Sequence, residues 1–197
     1  MGRTFELFGL MTFNVFLGLF LSANFLNSAG THSLTRLDEA SVKTFITHIA
    51  DISMGKDTSM DHLDVTEYFM AHIKDGSNFH NRVTYDLPYV QDNEQETDMD
   101  KMTYISYVIR SLSGKAAHHS SDVEIEYIQV SDTGDSATVM TVNHESGQMP
   151  VGQGGDQARM IPVAAASYCE HELVLTKDKK IQLAGANCMT DISRDGY

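Results

Sequence analysis

The hydrophobic period changes partway along this 197-residue chain, and that change limits its fold more than any other feature. In the first part, apolar residues such as Val42, Phe45, Ile46 and Ile49 recur every three or four positions, as in amphipathic helices. From Val123 onward they alternate with polar residues, as in strands with one buried face. Helices followed by strands predict an α+β fold, with the helices packed on one face of a curved antiparallel sheet.

Three helices are expected in the first part of the chain. The first spans about residues 35–55 and starts at a capping-box-like Thr-x-x-Asp. The second starts at Ser59 or Asp61 and ends at residue 76, and the third starts at Thr97 or Asp98 and ends at residue 113. Residues 82–88 alternate apolar and polar side chains and predict a strand between the second and third helices.

Two hairpins are expected in the second part. The first turns at residues 131–135, and the second pairs residues 164–176 with 181–192. Residues 146–162 are rich in Gly and Gln and predict a long loop between the hairpins.

The two cysteines, Cys169 and Cys188, both lie in the last hairpin. If it is centred between Asp178 and Lys179, they stand at equal distances along the chain from the centre and oppose each other across the ladder. Directly opposed antiparallel residues have Cα atoms about 4.5 Å apart when they are not hydrogen-bonded, a separation that a disulfide accepts. We therefore predict a disulfide if the chain reaches an oxidising compartment, and two reduced thiols if it does not.

The N-terminal segment bears on where the protein resides. An apolar run over residues 7–26 follows a basic residue, and small residues that suit a cut after Ala23 or Gly30 come next. We interpret residues 1–30 as a signal peptide or an N-terminal membrane anchor, and residues 31–197 as a single domain. Both alternatives place the domain outside the cytoplasm, periplasmic or secreted, either released or anchored to the inner membrane.

Charge and motifs exclude several functions. The chain carries 27 acidic and 14 basic residues, a net charge of -13 that repels phosphate backbones, so we expect no nucleic-acid binding. The glycines at 152–155 lack the Lys-Ser/Thr ending of a phosphate-binding loop, and the chain has no Gly-x-Ser-x-Gly elbow.

Three groups of potential metal ligands have simpler interpretations. Cys169 and His171 share a strand face, but together with Cys188 they would still need a fourth zinc ligand. His118-His119 lies in a Ser-rich connection. The acidic run 92–100 lacks the glycine and final glutamate of a calcium loop, and it suits the start of the third helix. We predict no metal site and no cofactor.

Three stretches resemble the nuclear transport factor 2-like superfamily, a cone-shaped α+β fold of the cystatin-like type. They are YFMAHIKDGSNFHNRVTYDLP, VEIEYIQVSDTGDSATVMTV and HELVLTKDKKIQLAGANCMTDI, and the resemblance extends over nearly all of residues 35–192. It implies an apolar cavity between the helices and the inner face of the sheet. It also implies a homodimer formed through the sheet, or a protein partner in the cell envelope.

Enzymes of this fold, ketosteroid isomerases and polyketide cyclases among them, place Asp, His and Tyr in that cavity for proton transfer. The resemblance makes five residues of this chain candidates by their elements: Tyr85, Tyr104, Tyr107, His144 and His171. Asp86 alternates away from Tyr85, so it is not expected to be an inward-facing base.

Because no buried general base is evident, we expect an exported non-catalytic module that binds a small apolar ligand or a protein. Two alternatives remain open. One is an isomerase or cyclase that uses a cavity Tyr or His, and the other is a membrane-anchored structural subunit of an envelope complex.

Overall fold

The structure is a computed structural model that describes residues 34–87, 90, 93–113, 120–151 and 159–194. Its elements in chain order are α1 (Glu39–Ser53), α2 (His62–His72), β1 (Ile73–Asp86), β2 (Glu94–Asp100), α3 (Lys101–Ser113), β3 (Ser120–Val130), β4 (Ser136–Val151), β5 (Arg159–Leu175) and β6 (Ile181–Arg194). The signal peptide or anchor predicted for residues 1–30 lies outside the described residues. Within the described ranges, no helix is both long enough and apolar enough to span a membrane.

The six strands form one open sheet in the order β2-β1-β6-β5-β4-β3. Every neighbouring pair is antiparallel except β1 and β6, which run parallel. The sheet is therefore mixed, and the expectation of a wholly antiparallel sheet was wrong for this pair. Alternation within a strand shows which residues share a face, but it does not show which distant strand lies alongside.

Helices α1 and α2 begin at aspartates that accept hydrogen bonds from the first-turn backbone. The Asp38 carboxylate accepts from the backbone N–H of Ser41 at 2.7 Å, while Ser41 Oγ accepts from the backbone N–H of Asp38 at 3.1 Å. This capping box, Asp38–Ser41, lies three residues later than the Thr35–Asp38 pair that the sequence indicated. Helix α2 is capped by Asp61, one of its two predicted starts.

Most of the acidic run forms a strand, and only its last residue caps the third helix: Asp100 Oδ1 accepts a hydrogen bond from the backbone N–H of Thr103 at 2.8 Å. Residues Glu94–Asp100 form β2, which pairs with β1 from Thr84↔Glu94 to Asn78↔Asp100, and α3 begins only at Lys101. β1 likewise begins at Ile73, inside the predicted second helix. In both places strand pairing in the sheet outweighs the local preference for a helix.

The predicted loop 146–162 is also shorter than expected. Strand β4 continues to Val151 and β5 begins at Arg159, with pairing from Ser146↔Ala164 to Val151↔Arg159. Residues 152–158, which include the glycine cluster, lie outside the described residues.

The hydrophobic core lies between the helices and one face of the sheet. The predicted stripe of α1 is buried: Val42, Phe45, Ile46, Ile49 and Ile52. We call the sheet face that packs against the helices the inner face; in β5 it carries Ala165, Ser167, Cys169, His171 and Leu173. The opposite side is the outer face. Among the described residues, three helices on one face of a six-stranded sheet confirm the α+β class and are consistent with a nuclear transport factor 2-like cone.

Cys169 and Cys188 oppose each other in the β5–β6 ladder and form a disulfide, with Cα atoms 4.1 Å apart. The predicted pairing is confirmed, although the turn differs. Thr176 N–H donates to Lys180 O, so the turn centres on Asp178, half a residue earlier than predicted. The extra residue Ala184 bulges from β6 and shifts the register by one, which restores the pairing of the cysteines.

Candidate functional site

A group of polar side chains lies across the inner face of the sheet, beneath the helices. We call it the inner-face polar belt; its members are Asn81, Thr141, Asn143, Glu145, Ser167, His171 and Thr190. All except Asn81 are buried, and the most exposed of these six, Glu145, is 5% exposed. Six buried polar side chains on one sheet face are unusual, because burial of a polar group is unfavourable unless the group is hydrogen-bonded.

The strand registers bring the belt together. Asn143 of β4 opposes Ser167 of β5, and Ser167 opposes Thr190 of β6, so these three cross the sheet in one row. Thr141 opposes Cys169 in the adjacent row, which places the disulfide within the belt. Neighbouring strands lie about 4.8 Å apart, so a ligand on this face would contact side chains from several strands at once.

Hydrogen bonds join the members of the belt. Ser167 Oγ donates to Thr190 Oγ1 at 3.0 Å, and Thr190 Oγ1 donates to Asn81 Oδ1 at 3.4 Å. The Asn143 amide donates to Glu145 Oε1 at 2.5 Å. These contacts hold a carboxylate, two amides and two hydroxyl groups on one face of the sheet.

His171 forms a further pair with Thr141. Its Nε2 lies 3.0 Å from Thr141 Oγ1, and which atom donates depends on the imidazole tautomer. Burial lowers the pKa of His171 from 6.5 to about 4, because the charged imidazolium would lose its hydration. The ring is therefore neutral near pH 7, when it can donate through one nitrogen and accept through the other.

Tyr104 lies in the core beside the belt. Its ring stacks on Phe79, with centroids 4.1 Å apart, and meets Phe69 edge to face at 6.2 Å. Burial raises the pKa of its phenol, which therefore stays protonated. Tyr107 is half-buried on the same helix and packs against the core.

Tyr85 is half-buried near the end of β1, opposite Ile192 of β6. Its hydroxyl donates to Gln95 Oε1 at 3.4 Å, and burial raises its pKa. A ligand-binding role for Tyr85, Tyr104, Tyr107 and His171 remains a prediction.

His144 is on the wrong face for the predicted role. It is exposed on the outer face, whereas Asn143 and Glu145 on either side of it are buried. The alternation of Ala137, Val139 and Thr141 contained this information, because odd-numbered residues of β4 face inward. Asn143 and Glu145 are odd-numbered residues of the same strand, so the same alternation predicts that they face inward. Ser167 and Thr190 stand two residues from Cys169 and Cys188, so they share the face of the cysteines. None of these four residues was among the sequence-based candidates.

No described residues form a group of three or more His, Cys, Asp or Glu side chains able to hold a metal ion. Cys169 is bonded to Cys188, so its sulfur is not a thiolate ligand. His118-His119 lies outside the described residues.

No protein-family model matches the chain, and no curated protein sequence matches it. Solved structures similar to it include a protein of Kribbella flavida, with 14% identity, a TM-score of 0.48, and coverage of 78% of this chain and 90% of that one. A cystatin-like domain of Nostoc punctiforme has 10% identity and a TM-score of 0.43, covering 82% and 81%. An NTF2-like protein of Pseudomonas putida has 12% identity and a TM-score of 0.37, covering 77% and 87%. NTF2-like and cystatin-like folds are thus among its structural neighbours.

Proposed function

We propose that this chain is an exported binding module that holds a small, mostly apolar ligand between its helices and the inner face of its sheet. The inner-face polar belt is the observation that supports this function. Binding sites for small molecules are typically apolar with a few well-placed polar groups, and the belt supplies such groups beneath an apolar helical layer. The ligand would carry one or two hydrogen-bonding groups on a hydrophobic body.

The disulfide supports the exported location. Disulfides persist in oxidising compartments and are rare in the cytoplasm. Cys169 and Cys188 are joined in this chain, as the N-terminal apolar run would lead us to expect.

Ala165 provides a test, because it lies on the inner face opposite Glu145. We expect Ala165→Leu to weaken binding of the neutral fluorescent probe N-phenyl-1-naphthylamine about tenfold, since a larger side chain would occupy the ligand's space. The matched control is Ala166→Leu, one residue along the same strand on the outer face.

The free energy of unfolding of Ala165→Leu shows whether the ligand site is absent. If the interior is already filled by side chains, Ala165→Leu would overpack it and lower the free energy of unfolding by about 1–3 kcal/mol. That loss, with no saturable probe binding to the parent protein, would contradict a ligand site.

A second candidate function is proton transfer by Glu145. Glu145 is 5% exposed and its carboxylate accepts a hydrogen bond from the Asn143 amide, so it is an oriented base on the inner face. The general substrate 5-nitrobenzisoxazole, which reports proton abstraction by any activated base, tests this candidate. A rate above background that Glu145→Gln abolishes, with probe binding retained, would favour the enzyme over the binding module.

The resemblance leaves two kinds of protein partner, a second copy of this chain or another exported protein. The charges on the outer face of the sheet bear on this choice.

A further inference from the structure

The outer face carries an exposed apolar patch at its centre. We call the outer-face patch the residues Tyr127, Met140, Tyr168 and Met189, which lie on β3, β4, β5 and β6 around the buried Val142. Tyr127 and Tyr168 are each 43% exposed, and Met189 is 55% exposed. Contiguous apolar surface of this kind, bordered by polar residues, marks interaction sites.

Carboxylates surround the patch. Exposed acidic side chains on the same face are Glu94, Glu96, Asp98, Asp100, Glu124, Glu170, Glu172 and Asp191. Arg82 and His80 already contact part of this set: Arg82 Nε lies 2.8 Å from Glu94 Oε1, and His80 Nδ1 lies 3.0 Å from Asp98 Oδ1. The outer face therefore presents an apolar centre within a negative rim.

A hollow of about 420 Å³ adjoins the patch. Its lining includes Asn78, His80, Glu170, Glu172, Gly185 and Asn187. Gly185, beside the Ala184 bulge of β6, lies against the backbone of β1 at this hollow. A Cβ at Gly185 would lie 2.8 Å from Asn78 O, so the close approach of β1 and β6 requires glycine there. Glu170 and Glu172 supply two carboxylates on the β5 side of the hollow.

These charges disfavour a second copy as the occupant. Two outer faces packed together would bring both acidic rims into proximity, and like charges across an interface are unfavourable. An occupant with Lys or Arg around an apolar segment would complement both the rim and the patch.

We propose that the outer face docks a basic segment of a different exported protein. A Lys or Arg side chain of that segment enters the hollow beside Glu170 and Glu172, and its apolar side chains cover Tyr168 and Met189. The site lies on the opposite side of the sheet from the inner-face polar belt, so it operates independently of the ligand proposed there.

The test measures fluorescence anisotropy of a labelled peptide in which Lys and Val alternate, bound to the full exported protein. We expect saturable binding that weakens at least about tenfold from low to high salt. A peptide with Glu in place of Lys, and one with Ser in place of Val, should bind much more weakly.

Matched variants locate the contact. Glu170→Gln with Glu172→Gln, and separately Met189→Gln, should each weaken binding of the Lys–Val peptide by about five- to tenfold. The controls lie on the helical side: Glu39→Gln with Glu67→Gln, and Met102→Gln, which is 55% exposed like Met189. These should change the affinity less than about twofold.

Three outcomes would overturn the proposal. The Glu–Val peptide could bind as tightly as the Lys–Val peptide, or the outer-face variants could bind like their controls. The third outcome is a dimer in sedimentation velocity that Met189→Gln dissociates and Met102→Gln does not. That result would make a second copy of this chain the occupant of the outer face.

Discussion

His171 shows how burial determines the state of a side chain that its sequence neighbours leave ambiguous. In the sequence it stands between two glutamates, which would favour the charged form. In the structure those glutamates are exposed, whereas His171 is 1% exposed beside Thr141. Loss of hydration dominates, and the pKa falls to about 4.

The lowered pKa predicts a pH dependence of stability. Below pH 6.5 the unfolded chain takes up a proton at this position, while the folded protein does so only near pH 4. The contribution of His171 to the free energy of unfolding therefore decreases as the pH falls from 6.5 to about 4, by a total of roughly 3 kcal/mol.

Urea unfolding at several pH values in this window checks the prediction. His171→Gln should reduce the slope of unfolding free energy against pH, and His144→Gln on the outer face is the matched control. If the slope of His171→Gln equals that of the parent protein, His171 is not the group responsible.

Among the elements, the β5–β6 hairpin was the best predicted. Its alternation and turn are local properties, so the facing of Cys169 and Cys188 was accessible from sequence. The Ala184 bulge was not, because it forms where β6 meets β1 at Gly185, a contact between segments distant in sequence. Strand β2 was missed for a different reason: it pairs with the preceding strand β1 at the edge of the sheet, and its mostly polar residues show no alternation of apolar side chains.

The disulfide should stabilise this hairpin against unfolding. Replacing both Cys169 and Cys188 by Ala should lower the free energy of unfolding by up to about 3 kcal/mol, since the link no longer restricts the unfolded chain. Guanidinium unfolding measures this loss, and the parent protein under reducing conditions is the control for the substitutions. An unchanged midpoint in both samples would show that the link contributes little to stability.

At the scale of the whole molecule, the sheet separates two kinds of surface. Its inner face holds the core and the polar belt, while its outer face holds many of the carboxylates behind the net charge of -13. The composition predicts repulsion of nucleic acids, but only the strand registers gather the charge around an apolar patch.

Export is also a property of the whole chain, and it can be tested directly. If residues 1–30 are a cleaved signal peptide, intact-mass spectrometry of the exported protein should show a chain that begins after Ala23 or Gly30. The same spectrum should show the mass of one disulfide. Exported protein with residue 1 still present would contradict cleavage and favour the anchor.

The sequence by itself determined the α+β class, the stripe of α1, the hairpins and the opposition of the cysteines. Each of these depends on periodicity or spacing within one segment or one hairpin. Tertiary structure alone decided the parallel pairing of β1 with β6 and, through it, the contact of Asn81 with Thr190 on one face. Contacts between distant segments decide these features, because their energies depend on which strands become neighbours and leave no period in the sequence.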